Sequence, residues 1–141
     1  DIKRNLRTPV DEMGLPIRIE DRTGDTSYTQ KRRQRADPPH ILLTTPESLA
    51  LMCSYEDAPQ IFRGLQRVIV DEIHALAERK RGDQLMLALA RLQVPILYST
   101  GYDEVEGAIA DFPSGAMLRK PYTAEDMSKA LCGRGFSRRR G

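Results

Sequence analysis

Two adjacent carboxylates, Asp71 and Glu72, follow a short apolar run, Val68-Ile69-Val70, and His74 comes just after them. A β-branched run of that length reads as a parallel strand buried on both faces. Acids beyond its carboxyl end lie where open α/β sheets place their ligands. Asp71 is suited to hold Mg²⁺, directly or through water, and Glu72 to orient or deprotonate an attacking water. A strand leaving the core into solvated acids would carry the same residues, so the flanking sequence has to decide.

The elements that must position these groups alternate along the chain. Ile2, Leu6, Val10 and Met13 fall at roughly helical spacing, with Pro9 shortening or bending that helix. Residues 16–21 alternate as a strand ending in Glu20-Asp21, and residues 22–25 turn. A polar, basic helix is expected over residues 27–36, then a buried strand over 40–44 with Ile41-Leu42-Leu43 as its core. Thr45-Pro46-Glu47 is a helix start: a hydroxyl cap, proline in the first helical position and an acid in the first turn. A short helix over residues 58–65 leads into the strand before Asp71. After His74 a polar stretch, 78–82, precedes a helix capped by Asp83 and carrying the stripe Leu85, Leu89, Leu92. A strand over 94–99, a helix over 104–112, a strand over 116–119 and a helix opened by the capping box Thr123-Ala-Glu-Asp126 come next. Residues 133–141 read as a disordered basic tail. The alternation predicts an α/β fold: one three-layer domain over residues 1–132 around a five-stranded parallel sheet.

At 141 residues the chain has room for one ordinary domain, and 40% hydrophobic with 30% charged residues is the balance of a soluble protein. The net charge of +2 does not by itself argue for nucleic acid, although Lys31-Arg32-Arg33, Arg79-Lys80-Arg81 and Arg138-Arg139-Arg140 are clustered. Two cysteines, Cys53 and Cys132, cannot make a zinc site, and no apolar run reaches membrane-spanning length. A reduced, cytoplasmic chain is expected. It opens at Asp1 without methionine, in the manner of a fragment. Oligomeric state has no signature in the sequence.

Several stretches come in a telling order: Arg22-Thr23-Gly24-Asp25-Thr26, then 39–49 around Thr44-Thr45-Pro46-Glu47, then Val68-Ile69-Val70-Asp71-Glu72-Ile73-His74, then Lys80-Arg81-Gly82-Asp83. Through about residue 92 the chain resembles a DEAD/DEAH-box helicase of the ligase-associated, large-helicase-related branch. The resemblance implies that Asp71 and Glu72 are the magnesium-binding and water-activating pair, and that His74 links ATP state to the strand-binding surface. It also implies that Arg22, Thr23, Gly24, Thr45, Pro46 and Glu47 belong to loops holding the phosphates of single-stranded nucleic acid, in a salt-sensitive way. No Gly-x-x-x-x-Gly-Lys-Ser/Thr stretch occurs in the 141 residues, and no Ser-Ala-Thr comes after the next strand. ATP and Mg²⁺ are therefore cofactors by resemblance, and little or no ATPase activity and no unwinding are expected of this polypeptide.

From about Val94 the sequence resembles the second half of a response-regulator receiver domain, which makes the chain look like a chimera joined near Gln93. That resemblance makes Thr100 a switch hydroxyl and Lys120 a phosphate-sensing ammonium, and implies a phosphorelay or interaction module as the alternative function. The two resemblances imply a sheet that is flavodoxin-like or partial RecA-like, and a scaffold without activity is a third reading. If the strand order were 2-1-3-4-5, Glu20 and Asp21 would join Asp71, Thr100 and Lys120 at one sheet edge as a Mg²⁺ site.

Overall fold

Of the 141 residues, the computed structural model describes 2–76, 80–101, 107 and 109–132. The chain falls into two units, Asp1–Ile61 and Phe62–Gly141, each with its own parallel sheet.

The first unit begins with α1 (Ile2–Glu12), which contains Pro9 and buries none of its residues. Strands β1 (Ile19–Arg22) and β2 (Ile41–Thr44) pair in parallel, from Ile19 opposite Ile41 to Arg22 opposite Thr44. Between them runs α2 (Tyr28–Ala36), capped by the Ser27 hydroxyl, which accepts from the Gln30 amide. Its sequence is almost wholly polar and its one buried residue is Gln34, whose side chain donates to the Asp21 carbonyl at 3.0 Å. Thr45 caps α3 (Pro46–Cys53) as its side-chain pattern predicts, and α4 (Ala58–Ile61) closes the unit. Among the described residues its buried apolar side chains are Ile19, Leu49 and Met52. The strand expected to be buried at Ile41-Leu42-Leu43 is only half-buried, because β1 is its one paired neighbour.

In the second unit β3 (Val68–Val70), β4 (Ile96–Thr100) and β5 (Ala116–Arg119) form a parallel sheet in that order. A 3₁₀ turn over Ile73–Ala75 comes after β3. Helix α5 (Lys80–Leu92) turns Leu85, Ala88 and Leu89 inward, as an amphipathic stripe requires. It starts three residues before the expected Asp83 cap. Gly82 lies inside it because the Leu76 carbonyl passes 2.2 Å from where a Cβ would stand. Helix α6 (Ala124–Cys132) opens with the expected reciprocal cap: the Thr123 amide donates to Asp126 and the Asp126 amide to the Thr123 hydroxyl. The expected helix over 104–112 falls partly outside the described residues, and residues 109–111 form turns. The basic tail, 133–141, also lies outside them.

The α/β class and parallel pairing hold, but the five strands lie in two sheets instead of one. Neither β1 nor β2 bonds to β3, so the 2-1-3-4-5 order is not found among the described strands. Every residue of β4 is buried, whereas β3 is an edge strand with Ile69 62% exposed. The strand before Asp71 is thus not the doubly covered one its composition suggests. The covered strand is β4, where Tyr98 donates to the Pro113 carbonyl at 2.6 Å and meets Phe112 edge-on.

Gly82→Ala should lower stability by ~1–3 kcal/mol in urea unfolding, because the new methyl meets a backbone oxygen; Gly64→Ala, with open space around it, should stay within about 0.5 kcal/mol. Burial raises the Tyr98 phenol from its ordinary value to about 12. The stabilisation this carries is complete below about pH 10 and is lost as the pH rises through the folded value. A phenolate titration followed by absorbance should show one tyrosine ionising late, and Tyr98→Phe should remove that late step.

Candidate functional site

Parallel strands leave their sheet on one side, so the residues after each carboxyl end gather there. In the first unit Arg22 stands opposite Thr44, which brings the loop at Thr23-Gly24 beside the α3 start at Thr45-Pro46-Glu47. The Thr44 hydroxyl donates to the Arg22 carbonyl at 2.8 Å and ties the two strand ends together. The 22–26 loop is internally braced: the Thr23 amide donates to the Thr26 hydroxyl at 2.9 Å, and the Asp25 amide to the Thr23 hydroxyl at 3.2 Å. Space beside Gly24 is open and Glu47 is exposed. The Thr45 hydroxyl accepts from the Ser48 amide at 3.2 Å. This edge therefore offers hydroxyls, backbone and a helix N-terminus, the ordinary means of holding a phosphate.

Arg22 lies beneath this edge. It is 2% exposed, and its guanidinium donates to the Lys31 carbonyl at 3.0 Å and the Tyr55 hydroxyl at 3.2 Å. Arg22, expected among the phosphate-holding residues, here fixes the strand end under the loop. Glu20 and Asp21 are also engaged locally, Glu20 with Arg33 and Asp21 with Lys3. The Lys3 ammonium holds the Asp21 carboxyl below the usual carboxylate range. Among the described strands β1 pairs with β2 and not with β3, so the strand order on which their joining Asp71 depended is not found.

In the second unit the gathering at the sheet edge is tighter. Val70 stands opposite Tyr98, and Thr100 opposite Arg119, so Asp71-Glu72, Thr100 and Lys120 emerge together. The Lys120 ammonium lies 2.9 Å from Asp71 Oδ1 and 2.6 Å from Glu72 Oε1. The other Glu72 oxygen is 3.2 Å from His74 Nε2, and His74 Nδ1 is 2.9 Å from the Thr100 hydroxyl. Glu72 adopts a left-handed backbone (φ 54°), uncommon for a residue with a side chain, and its carbonyl accepts from the Ala75 amide at 2.9 Å. Burial opposes ionisation of Asp71, but Lys120, Ser99 and the Glu72 amide together hold the carboxyl below its usual range. Glu72 and then Asp71 push the Lys120 ammonium above its own.

Asp71, Glu72, His74, Thr100 and Lys120 are thus brought together as one cluster, in an arrangement that neither resemblance describes. Thr100, expected as a switch hydroxyl, is fully buried and pairs with His74. Ser99 is a member that sequence reasoning misses. Its buried hydroxyl lacks a hydrogen bond of ordinary geometry, yet it adds to the lowering of Asp71. A signal is present all the same: Ser99-Thr100 ends the strand beside β3 and supplies two of the three residues of the missing Ser-Ala-Thr.

The donor set does not fit bound Mg²⁺ as arranged. That ion wants an octahedral oxygen shell, and here an ammonium bridges both carboxylates. No group of three or more His, Cys, Asp or Glu suited to a metal occurs among the described residues.

A match to the DEAD/DEAH box helicase family covers residues 1–105. The chain belongs to that family. This helicase match runs past the join expected near Gln93 and takes in β4, so a receiver-derived half beginning at Val94 is not supported. The ATP-dependent helicase Lhr-Core protein 2 of Thermococcus barophilus is 50% identical over 103 residues. That alignment covers 66% of this chain and 12% of the relative's length, so the chain spans a small part of the helicases it matches. The structure of Mycobacterium smegmatis helicase Lhr bound to ssDNA and AMP-PNP superposes with a TM-score of 0.68 at 37% identity, over 86% of this chain and 18% of that one. The DNA-bound DUF1998 helicase MrfA shares the fold alone, at 21% identity and a TM-score of 0.66, over 84% and 18% of the two chains. The partial RecA-like alternative is therefore the one that stands. No helix among the described residues is long and apolar enough to cross a membrane.

Arg22→Lys should cost ~1–3 kcal/mol, since one ammonium cannot reach both guanidinium partners. Urea unfolding followed by circular dichroism measures it.

Proposed function

We propose that this chain is the part of a helicase ATPase domain that holds single-stranded DNA, and that it lacks the means to hold and hydrolyse a triphosphate by itself. The register of β1 against β2 carries the reading: Arg22 opposite Thr44 brings two phosphate-suited loops side by side. Family membership supports it, as does the likeness to a helicase solved with ssDNA. Thr23 and Gly24 would meet the strand through hydroxyl and backbone, and Thr45, Pro46 and Glu47 through the start of α3. Such contacts read no bases. His74, between Glu72 and Thr100, ties the acidic pair to β4.

Hydrolysis is a different matter. By the family resemblance Asp71 and Glu72 would bind metal and activate water, but the 141 residues contain no glycine-rich loop with its lysine to cradle phosphates. A receiver-like reading draws on Lys120 lying 2.9 Å from Asp71 Oδ1. It also needs the Thr100 hydroxyl at that carboxylate, and this hydroxyl is buried against His74.

Fluorescence anisotropy of a labelled single-stranded oligonucleotide should show binding by the 141-residue chain that weakens with salt, with a log–log slope of about −0.7 per phosphate engaged. Thr23→Ala and Thr45→Ala should each weaken it roughly threefold, whatever the base sequence. Added ATP and Mg²⁺ should give no turnover above buffer. Salt-insensitive binding, or binding unchanged in both variants, would overturn the reading.

A further inference from the structure

We propose that Lys120 is a built-in counter-ion for the Asp71–Glu72 pair: its ammonium takes the electrostatic place of a divalent cation, and metal can bind there only by displacing it. This rests on the reading of Asp71 and Glu72 as the metal-facing pair and adds how that pair is regulated.

The geometry is that of a clamp. One nitrogen stands 2.9 Å from Asp71 Oδ1 and 2.6 Å from Glu72 Oε1, using two of the three N–H donors of an ammonium. The lysine is delivered by the sheet: its backbone amide donates to the Thr100 carbonyl at 2.8 Å, one step beyond the last rung of β4 with β5. A stem that starts from a fixed point gives the ammonium a high effective concentration at the acids. The remaining groups add to the closure. Asp71 Oδ1 also accepts from the Glu72 amide at 3.0 Å, and Glu72 Oε2 faces His74 Nε2 at 3.2 Å. Asp71 Oδ1, Glu72 Oε1 and Glu72 Oε2 are therefore all engaged before any metal arrives.

Mg²⁺ parts with its water reluctantly and settles on one or two carboxylates together with phosphates. Here it would meet carboxylates already neutralised in part by the Lys120 ammonium, in direct contact with both, with like charge opposing its approach. Removing that cation while keeping the acids should open the site. The ammonium cannot do what the metal does for a phosphate, since it brings one charge and no open coordination position.

The test uses the full 141-residue chain, with Mn²⁺ and Mg²⁺ as probes, followed by calorimetry and by paramagnetic broadening of the Asp71 and Glu72 amides. Lys120→Met should tighten Mn²⁺ binding by about tenfold or more, whereas Lys120→Arg, which keeps the charge, should not. Adding Asp71→Asn to Lys120→Met should abolish the gain. Equal binding by wild type and Lys120→Met, lost in Asp71→Asn, would sink the counter-ion while leaving the acidic pair as the metal site. No binding by either protein, or a gain that survives Asp71→Asn, would sink the reading of the pair as well. Should Lys120→Met not fold, the wild type still decides. High Mg²⁺ should shift the Lys120 side-chain resonances together with those of Asp71, and a shift at Asp71 with Lys120 unmoved would overturn the proposal.

Discussion

Parallel pairing is the constraint on which everything else in this chain depends. Because β3, β4 and β5 run the same way and in register, the residues just past their carboxyl ends emerge at one edge. Glu72 and Lys120, 48 positions apart, therefore meet at 2.6 Å. The strand that enforces this is β4, which is buried throughout and bonded on both sides. Its apolar side chains supply the cohesion and its last residue, Thr100, holds His74. The smaller sheet repeats the arrangement with β1 and β2, and there the emerging groups are hydroxyls, backbone and a helix start.

The two units are held together by different forces. Among the described residues, Val70, Ile73, Leu85, Ala88, Leu89, Ile96, Leu97, Tyr98 and Leu118 are buried in the second unit, against Ile19, Leu49 and Met52 in the first. Apolar burial at ~25 cal/mol per Å² is the dominant favourable contribution where it is available. Where it is scarce, polar links stand in. Helix α2 is fastened by Arg33 to Glu20, Gln34 to the Asp21 carbonyl and Arg35 to Asp57. Arg35 also lies over the Tyr55 ring at 4.1 Å. The proposed nucleic-acid edge is thus mounted on a lightly cored unit, and the acidic cluster on a well-cored one.

Local chemistry is legible in the sequence. The caps at Thr45 and Thr123 use the hydroxyls predicted for them, and Ala116–Arg119 is a strand over its expected bounds. Those signals act over a few residues. Pairing does not, because backbone bonds between strands leave no mark on side-chain pattern; two sheets and one sheet of five predict the same alternation. The exposure of β3 is hidden for the same reason, since an apolar run looks alike at an edge and at a centre. The start of α5 is masked by Gly82, which reads as a breaker but is present for close approach to Leu76. Assigning residues after 93 to a different ancestor also conceals Ser99 as a neighbour of Asp71 and Thr100 as the partner of His74. The sequence holds both residues, but only coordinates show what they touch.

The polar fastening of α2 has a consequence for how this protein responds to ionic strength. Salt screens charges at a surface and competes for phosphate contacts by the same physics. On the proposed reading, the salt that would strip a polynucleotide from the first unit would also weaken the Arg33–Glu20 and Arg35–Asp57 pairs that keep its basic helix seated. Release of the strand and loosening of the surface that holds it would then be coupled, and a steep dependence on electrolyte would report the two together.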